Sequence, residues 1–323
     1  MVNWGLVLNI LLSMVGLAML IKCADFFVDG ASSIAKNLKI PATVVGLTIV
    51  AFGSSAPELA ISFSSHLSDN PDIFFGSVIG SSIANILIIL GIAVLIVPFK
   101  IENDVIKKEI PILILITAGF SAIFLDSLFS SSPSNTLSRA DGIVLVLFFS
   151  IFIYYLITVL TNRKGSSEET IKPKYKVIMS IVMTLLGLAG IVIGSELIVR
   201  NFASIATTIG ISQKIISVTI ISIGTSLPEL VTTVTAARKG ENNIAIGNIV
   251  GSNIFNICIV LGLPVIILGE AVTVAYTFVD IGFMLLAALL LWVFTATGRK
   301  LKRYEGVVFI AIYCVYVAYV LIL

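Results

Sequence analysis

Two acidic residues stand out because they lie deep inside long apolar segments. Glu58 and Glu229 each follow a proline and are surrounded by apolar residues. A charged group at the middle of a membrane costs roughly 2.5–3.5 kcal/mol on insertion scales. Lys22 is the nearest basic residue at comparable depth, and its chain is expected to reach toward the surface. The two carboxylates could be hydrogen-bonded groups that join helices, but two of them in matching motifs favour a bound cation.

The residues before each glutamate are of types that loosen a helix and expose oxygen atoms. The motifs are GSSAPE at 53–58 and GTSLPE at 224–229. Proline lacks an amide donor and clashes with the carbonyl four residues earlier, so each proline frees the carbonyl of the glycine that opens its motif. Such carbonyls can coordinate cations where they line a cavity. The hydroxyls one turn before each glutamate share its helix face; they belong to Ser54, Ser55, Thr225 and Ser226.

The next apolar segment in each half carries a second polar stripe. Hydroxyls and amides inside a membrane can join helices or coordinate an ion, and both interpretations stay open for most of the stripe. We favour coordination for Asn85 and Asn256, which lie deepest along it. The stripes repeat every four residues, with Ser77, Ser81 and Asn85 in the first half and Asn248, Ser252 and Asn256 in the second.

The candidate ligands are all oxygen donors, which indicates a hard cation. Calcium takes 6–8 oxygen ligands in a flexible cage. Copper or zinc would be expected to recruit cysteine or histidine, but the single histidine, His66, lies near the end of an apolar segment. Two carboxylates neutralise one divalent ion, and the same oxygens could instead hold several monovalent ions. No cofactor is expected.

The composition identifies the setting of these residues as a membrane. The chain has 323 residues, of which 58% are hydrophobic and 12% charged, and its mean hydropathy is +1.12. Soluble domains carry about 25% charged residues. The net charge of +2 argues against a nucleic-acid-binding face. Because a helix needs about 20 apolar residues to cross a bilayer, we predict ten spans, at 5–28, 42–65, 73–98, 110–126, 142–161, 177–200, 213–237, 244–268, 274–296 and 306–323.

The charges of the loops predict the orientation. Sixteen Lys and Arg residues lie in the loops after the odd-numbered spans, against three on the opposite face, which are Arg139, Arg200 and Lys214. Cytoplasmic loops collect Lys and Arg. We therefore predict a multi-pass protein of the cell membrane, with its central loop in the cytoplasm and both termini outside.

The two halves are copies of each other. An offset of 171 positions aligns Val44–Leu59 with Ile215–Leu230, and Gly76–Gly91 with Gly247–Gly262. Because each half has an odd number of predicted spans, the second half must enter the membrane from the opposite side, as in many secondary transporters. The predicted fold is therefore an all-α integral membrane protein with two inverted-topology repeats of five helices, in which helices 2 and 7 are broken at the repeat interface. The repeats occupy 1–161 and 177–323, with a cytoplasmic linker at 162–176.

At these motifs the sequence resembles the prokaryotic sodium/calcium exchangers of the calcium/cation antiporter superfamily. The resemblance rests on GSSAPE and GTSLPE together with GSSIAN at 80–85 and GSNIFN at 251–256. It implies electrogenic exchange of sodium for calcium, with Glu58 and Glu229 as calcium ligands shared with sodium. By motif position, the remaining oxygens of the ion sites would come from Ser54, Ser55, Ser81, Thr225, Ser226 and Ser252, and from the carbonyls of Ala51 and Ser222.

One departure from the family and several alternatives bear on function. Some members place an aspartate where this chain has Asn256, and its repeat partner Asn85 is also an amide. The missing carboxylate argues against potassium co-transport. The preferred interpretation is an antiporter that uses sodium to expel calcium; a proton/calcium or other divalent-cation exchanger is the alternative, and a passive cation channel is a further one. An enzyme is disfavoured because HExxH and GxSxG patterns are absent. The partners are then the ions and the bilayer; the oligomeric state stays open, and a monomer is compatible with the sequence.

Overall fold

The computed structural model describes residues 4–67, 71–125, 135–162, 173–210, 222–269, 272–274 and 278–322. Within these ranges the chain is mainly helical. Seven helices are long and apolar enough to cross a membrane, or eight if the bent pair Ala42–Ser54 and Ala56–Leu67 counts as one span. The prediction of a mainly helical integral membrane protein is confirmed, whereas the count of ten spans in two inverted repeats stays a prediction.

The described part of the first half contains eight helices, three of which are short pieces of interrupted segments. Turns of π-helix interrupt or begin these segments at Gly46–Val50, Asn85–Leu90 and Val105–Glu109. The helices are α1 (Trp4–Leu38), α2 (Ala42–Val45), α3 (Ala51–Ser54), α4 (Ala56–Leu67), α5 (Pro71–Ala84), α6 (Gly91–Ile96), α7 (Ile110–Phe124) and α8 (Arg139–Asn162).

The second half repeats this order of long and interrupted helices as far as it is described. A π-helical turn at Asn256–Val260 corresponds to the one that begins at Asn85. The helices are α9 (Val177–Thr208), α10 (Ser222–Thr225), α11 (Leu227–Arg238), α12 (Asn242–Phe255), α13 (Gly262–Leu268), α14 (Phe278–Gly298) and α15 (Arg303–Ile322). Two short strands, β1 (Asn135–Leu137) and β2 (Val272–Val274), pair antiparallel.

The helices α1 and α9 are longer than the predicted spans 5–28 and 177–200. Past the end of its predicted span, α1 continues for ten residues and α9 for eight. They pack against each other closely. A Cβ atom added at Gly187 would lie 2.5 Å from the backbone nitrogen of Phe27, so only glycine permits this approach. The two long helices therefore form one tightly packed pair beside the rest of the molecule.

The interrupted helices form the centre of the fold. In the segments Phe74–Ile96 and Asn242–Leu268, 72% and 78% of the most apolar window is buried, against 17% in α8. Most apolar side chains of α8 thus stay at least partly exposed and able to face lipid, whereas most residues of the central segments are buried among protein. A Cβ atom at Gly251 would lie 2.7 Å from the carbonyl oxygen of Leu47. This contact places α12 directly against α3 and the turn before it.

Candidate functional site

The first broken helix bends at the motif that precedes Glu58. Helix α3 ends at Ser54, Ser55 leaves helical geometry with φ −88° and ψ 8°, and α4 continues at an angle of 43° to the preceding segment. Pro57 explains the bend, because it supplies no amide hydrogen to the preceding turn. The prediction of a break at this position is confirmed.

The second break repeats this geometry in the other half. Ser226 has φ −90° and ψ 3° and separates α10 from α11, which carries Pro228 in its first turn. The carbonyl oxygen of Gly224, which proline deprives of its helical donor, accepts a hydrogen bond of 2.9 Å from Ser195 Oγ on α9. A side-chain hydroxyl of another helix thus donates a hydrogen bond to one of the freed carbonyls.

The two glutamates are buried without a basic partner. Glu58 is 1% exposed and Glu229 is 0% exposed. In the described part of the chain, neither forms an ion pair with Lys or Arg. One oxygen of each, Oε2, has no hydrogen-bond partner. Since a buried carboxylate is costly unless it is paired or binds a metal, these oxygens are suited to a cation.

A hydrogen bond crosses between the repeats at the glutamates. Ser55 Oγ donates to Glu229 Oε1 at 2.9 Å, so the hydroxyl of one broken helix holds the carboxylate of the other. The structure therefore brings the two motifs together, although they are 174 residues apart in the chain.

Next to the carboxylates, a second set of oxygens converges on Ser54. Its Oγ lies 3.1 Å from Asn248 Oδ1 and 3.5 Å from Ser252 Oγ. Both serine hydroxyls also lie near the carbonyl oxygen of Ala51, at 3.3 and 3.4 Å. Three of the predicted ligands, Ser54, Ser252 and the carbonyl of Ala51, are thus neighbours. Asn248, whose role the sequence left undecided between packing and coordination, is hydrogen-bonded to Ser54.

The deep asparagines are brought to the centre, but their surroundings differ. Asn85 and Asn256 are both 0% exposed, and each begins a π-helical turn, a feature that is frequent at functional sites. Asn85 Nδ2 donates to Asn253 Oδ1 at 2.9 Å, which leaves Asn85 Oδ1 without a partner. Both polar atoms of the Asn256 side chain lack a partner.

The remaining predicted ligands are less sharply defined. Ser81 and Ser226 are buried, at 5% and 6% exposed, and Thr225 is half-buried. Ser222 begins α10, but its side chain lies outside the described residues. Ser77 does not join this group, because its hydroxyl donates to the carbonyl of Phe74 within its own helix at 2.9 Å.

Sequence reasoning missed several buried polar residues around the predicted ligands. Asn253 links the halves, and Thr233 accepts a hydrogen bond of 2.9 Å from Asn248 Nδ2. Thr232, 0% exposed, has a hydroxyl without a partner. A polar residue three or four positions after Glu229 was the available signal for both threonines, since these positions share its helix face.

The described residues contain no group of three or more His, Cys, Asp or Glu side chains able to hold a metal. The site instead combines two carboxylates with neutral oxygens from hydroxyls, amides and carbonyls. Oxygen ligands of this kind suit calcium and other hard cations, so the chemistry of the donor set agrees with the one predicted.

Other charged groups lie away from this site. Lys239 Nζ contacts Asp25 at 3.1 Å and Asp29 at 2.8 Å. Lys174 also pairs with Asp29, at 2.5 Å, and this hydrogen bond raises the pKa of Lys174. A cavity of about 450 Å³, lined in part by Lys100 and Arg299, also lies apart from the glutamates.

Comparisons with known proteins identify the family of the chain. Residues 8–158 and 179–322 match the family described as sodium/calcium exchanger protein. The chain is 39% identical over 303 residues to the putative antiporter CaxA of Alkalimonas amylolytica, covering 91% of this chain and 92% of CaxA. It is 33% identical over 347 residues to the sodium/calcium exchanger MaX1 of Methanosarcina acetivorans, covering 94% and 96% of the two chains.

A solved structure of the same family has a similar fold. The sodium-calcium exchanger NCX_Mj, soaked with sodium and calcium, superposes with a TM-score of 0.82 at 31% identity, covering 98% of this chain and 99% of that one. The family is one of membrane transporters, not of enzymes. The protein therefore belongs to the sodium/calcium exchanger family and is a cation/calcium antiporter.

Proposed function

We propose that the protein moves sodium inward and calcium outward by alternating access at a single site around Glu58 and Glu229. The observation that carries this proposal is the pair of buried carboxylates, each with one oxygen lacking a hydrogen-bond partner. Two negative charges that no Lys or Arg of the described residues neutralises match one divalent cation. They can equally be satisfied by sodium ions, so the two kinds of ion would compete for the same oxygens.

The neutral oxygens of the site would complete the coordination. The carboxylates would be joined by the hydroxyls and carbonyls around Ser54 and by the amide oxygens of Asn85 and Asn256. A cage with more than six possible oxygens suits calcium, which takes 6–8. The full proposed set is Glu58, Glu229, Ser54, Ser55, Thr225, Ser226, Asn85, Asn256, Ser81 and Ser252, with the carbonyls of Ala51 and Ser222.

Alternating access is supported by the pairing of two broken helices from sequence-related halves. In inverted-repeat transporters the substrate lies at the repeat interface, and one repeat rocks against the other. The bond from Ser55 to Glu229 joins the two broken helices, which supports a site between the halves. We further propose the orientation predicted by the loop charges, with the linker at 162–176 in the cytoplasm and both termini outside.

Sodium coupling is supported by the names of similar proteins, since MaX1 and NCX_Mj are both called sodium/calcium exchangers. A proton/calcium exchanger remains the second candidate, because buried carboxylates can carry protons as well as cations. The two candidates differ in which gradient drives calcium, and that difference is measurable.

The test is calcium uptake into proteoliposomes that contain the purified protein and are loaded with sodium. We expect uptake with sodium inside, and loss of uptake when potassium or choline replaces it at equal pH. Uptake driven by a proton gradient without sodium would establish the second candidate. Calcium flux that needs no counter-ion, seen as single-channel current, would establish a passive channel and overturn the proposal.

A further inference from the structure

Asn253 lies on α12 and forms two hydrogen bonds to the corresponding segment of the first half. Its Nδ2 donates to the carbonyl oxygen of Ser82 at 3.1 Å, and its Oδ1 accepts from Asn85 Nδ2 at 2.9 Å. All three residues are at most 1% exposed. The side chain of Asn253 thus uses both of its ends on the opposite half of the molecule.

The order of donors and acceptors along this chain of bonds is fixed by its first member. A main-chain carbonyl can only accept, so Asn253 must direct its NH2 group toward Ser82. The oxygen of Asn253 then faces Asn85, which must answer with its own NH2 group. The amide oxygen of Asn85 is consequently turned away from Asn253, and it is buried without a partner.

We propose that Asn253 is a positioning residue, which holds the amide of Asn85 so that its oxygen, not its NH2 group, is available to the cation. An NH2 group is a donor and cannot coordinate a cation. The inference rests on the proposed function, in which Asn85 is a ligand. The orientation matters because a rotation of the Asn85 amide by 180° would replace the coordinating oxygen by an NH2 group, which repels a cation.

The repeat-related positions Ser82 and Asn256 do not form the equivalent hydrogen bonds. The repeat offset pairs Asn253 with Ser82, and a serine side chain is too short to bond in the same way. Asn256, the repeat partner of Asn85, has no partner on either atom of its amide. Asn85 is therefore a ligand of fixed orientation, whereas Asn256 can present either end.

The test is a mutant cycle in which calcium itself is the titrant, with affinity read by calorimetry on the purified protein. Asn253→Leu removes both bonds at similar volume, and we expect calcium binding to weaken about tenfold, the effect of one net hydrogen bond to a ligand. In an Asn85→Asp background the same change should not weaken calcium binding, because a carboxylate presents an oxygen in either orientation and has no NH2 group for Asn253 to hold.

A purely structural role for Asn253 predicts a different pattern. It would lower the melting temperature and reduce affinity equally in both backgrounds, and this result would overturn the inference. Asn201→Leu is the matched control: it removes a buried amide bond of 2.6 Å to the carbonyl of Leu197 and should lower stability without changing calcium affinity. An unchanged affinity in Asn253→Leu would also overturn the inference.

Two further variants keep the test decisive. Asn85→Leu should weaken calcium binding; an unchanged affinity would mean that Asn85 is not a ligand, which is a failure of the proposed site rather than of the positioning role. If Asn253→Leu does not fold, Asn253→Ser replaces it, since serine is present at the paired position 82. A weakening of several-fold that Asn85→Asp relieves supports the inference, and wild-type affinity refutes it.

Discussion

The two proline-broken helices carry matching motifs, yet the groups around their freed carbonyls differ. On the second helix, the carbonyl of Gly224 is occupied by the hydroxyl of Ser195 at 2.9 Å. The repeat offset places Ala24 where the first half would need the equivalent hydroxyl for Gly53. Alanine has nothing to donate. The two motifs that precede the glutamates thus match in sequence, but the contacts around them do not.

The carboxylates show the same inequality. Ser55 of the first motif donates to Glu229 of the second, and the described contacts include no counterpart from Ser226 to Glu58. Among the described residues, the opposite half therefore donates a hydrogen bond to Glu229 but none to Glu58.

The largest expected effect comes from removing either carboxylate. Glu58→Gln and Glu229→Gln each delete one of the two charges that oppose a divalent ion and keep nearly the same volume. We expect calcium transport in proteoliposomes to fall below detection in both variants, with an unchanged elution volume and helical content. Wild-type flux in either variant would show that the pair does not act as one site.

Acidification should inhibit transport strongly, because protons compete with cations for the oxygens of Glu58 and Glu229. The expected result is a fall in calcium flux as pH decreases, which a higher calcium concentration reverses. The measurement is initial uptake across pH at several calcium concentrations. Inhibition that calcium does not relieve would assign the titration to a group outside the site.

An added carboxylate tests the amide positions. Asn256→Asp places a third negative charge near two others, so the site must bind either a proton or an additional cation. We expect the dependence of transport on pH or on monovalent ions to change before the maximal calcium affinity does. Asn85→Asp should behave similarly, since the two positions are related by the repeat. Profiles of Asn256→Asp that overlay the wild type, with sodium alone and with sodium plus potassium, would return Asn256 to a packing role.

Much of this site could be predicted from the sequence because its residues are energetically unfavourable in a membrane. Charged residues and prolines inside apolar segments are rare enough to be informative, so Glu58, Glu229 and the break before each of them were identified directly. The ends of α1 and α9 were not, because a helix need not stop where its apolar stretch stops.

Contacts between distant residues were the part that the sequence could not supply. Asn253 lies within the GSNIFN motif, but nothing in its spacing indicates that it bonds Asn85 and Ser82. Ser195 is one of many serines in apolar helices, and its role depends on where α9 packs. Such residues become recognisable only when the packing of the two halves is known.

A smaller effect is expected from removing the hydroxyl of Ser55, and the matching change at Ser226 allows a direct comparison of the two halves. Ser55→Ala removes the 2.9 Å bond to Glu229, and we expect apparent calcium affinity to fall about tenfold, since hydrogen bonds to charged groups contribute about 1.5–3 kcal/mol. Ser226→Ala should have the milder effect, because it breaks no such bond. Equal losses in initial-rate assays of the two variants would remove the proposed inequality between the glutamates.

The smallest effect is expected at the carbonyl of Gly224. Ser195→Ala removes its donor and leaves a buried carbonyl unpaired next to Thr225, which should lower the free energy of unfolding by about 1 kcal/mol. The carbonyl is then available to a cation, so sodium affinity should change a few-fold in the same variant. Ser195→Thr keeps the hydroxyl and should retain wild-type sodium affinity, and Ala24→Ser offers a hydroxyl to the first half, where it is missing. If Ser195→Ala and Ser195→Thr bind sodium alike, the bond to Gly224 serves packing alone, and the inequality between the halves does not extend to the ion.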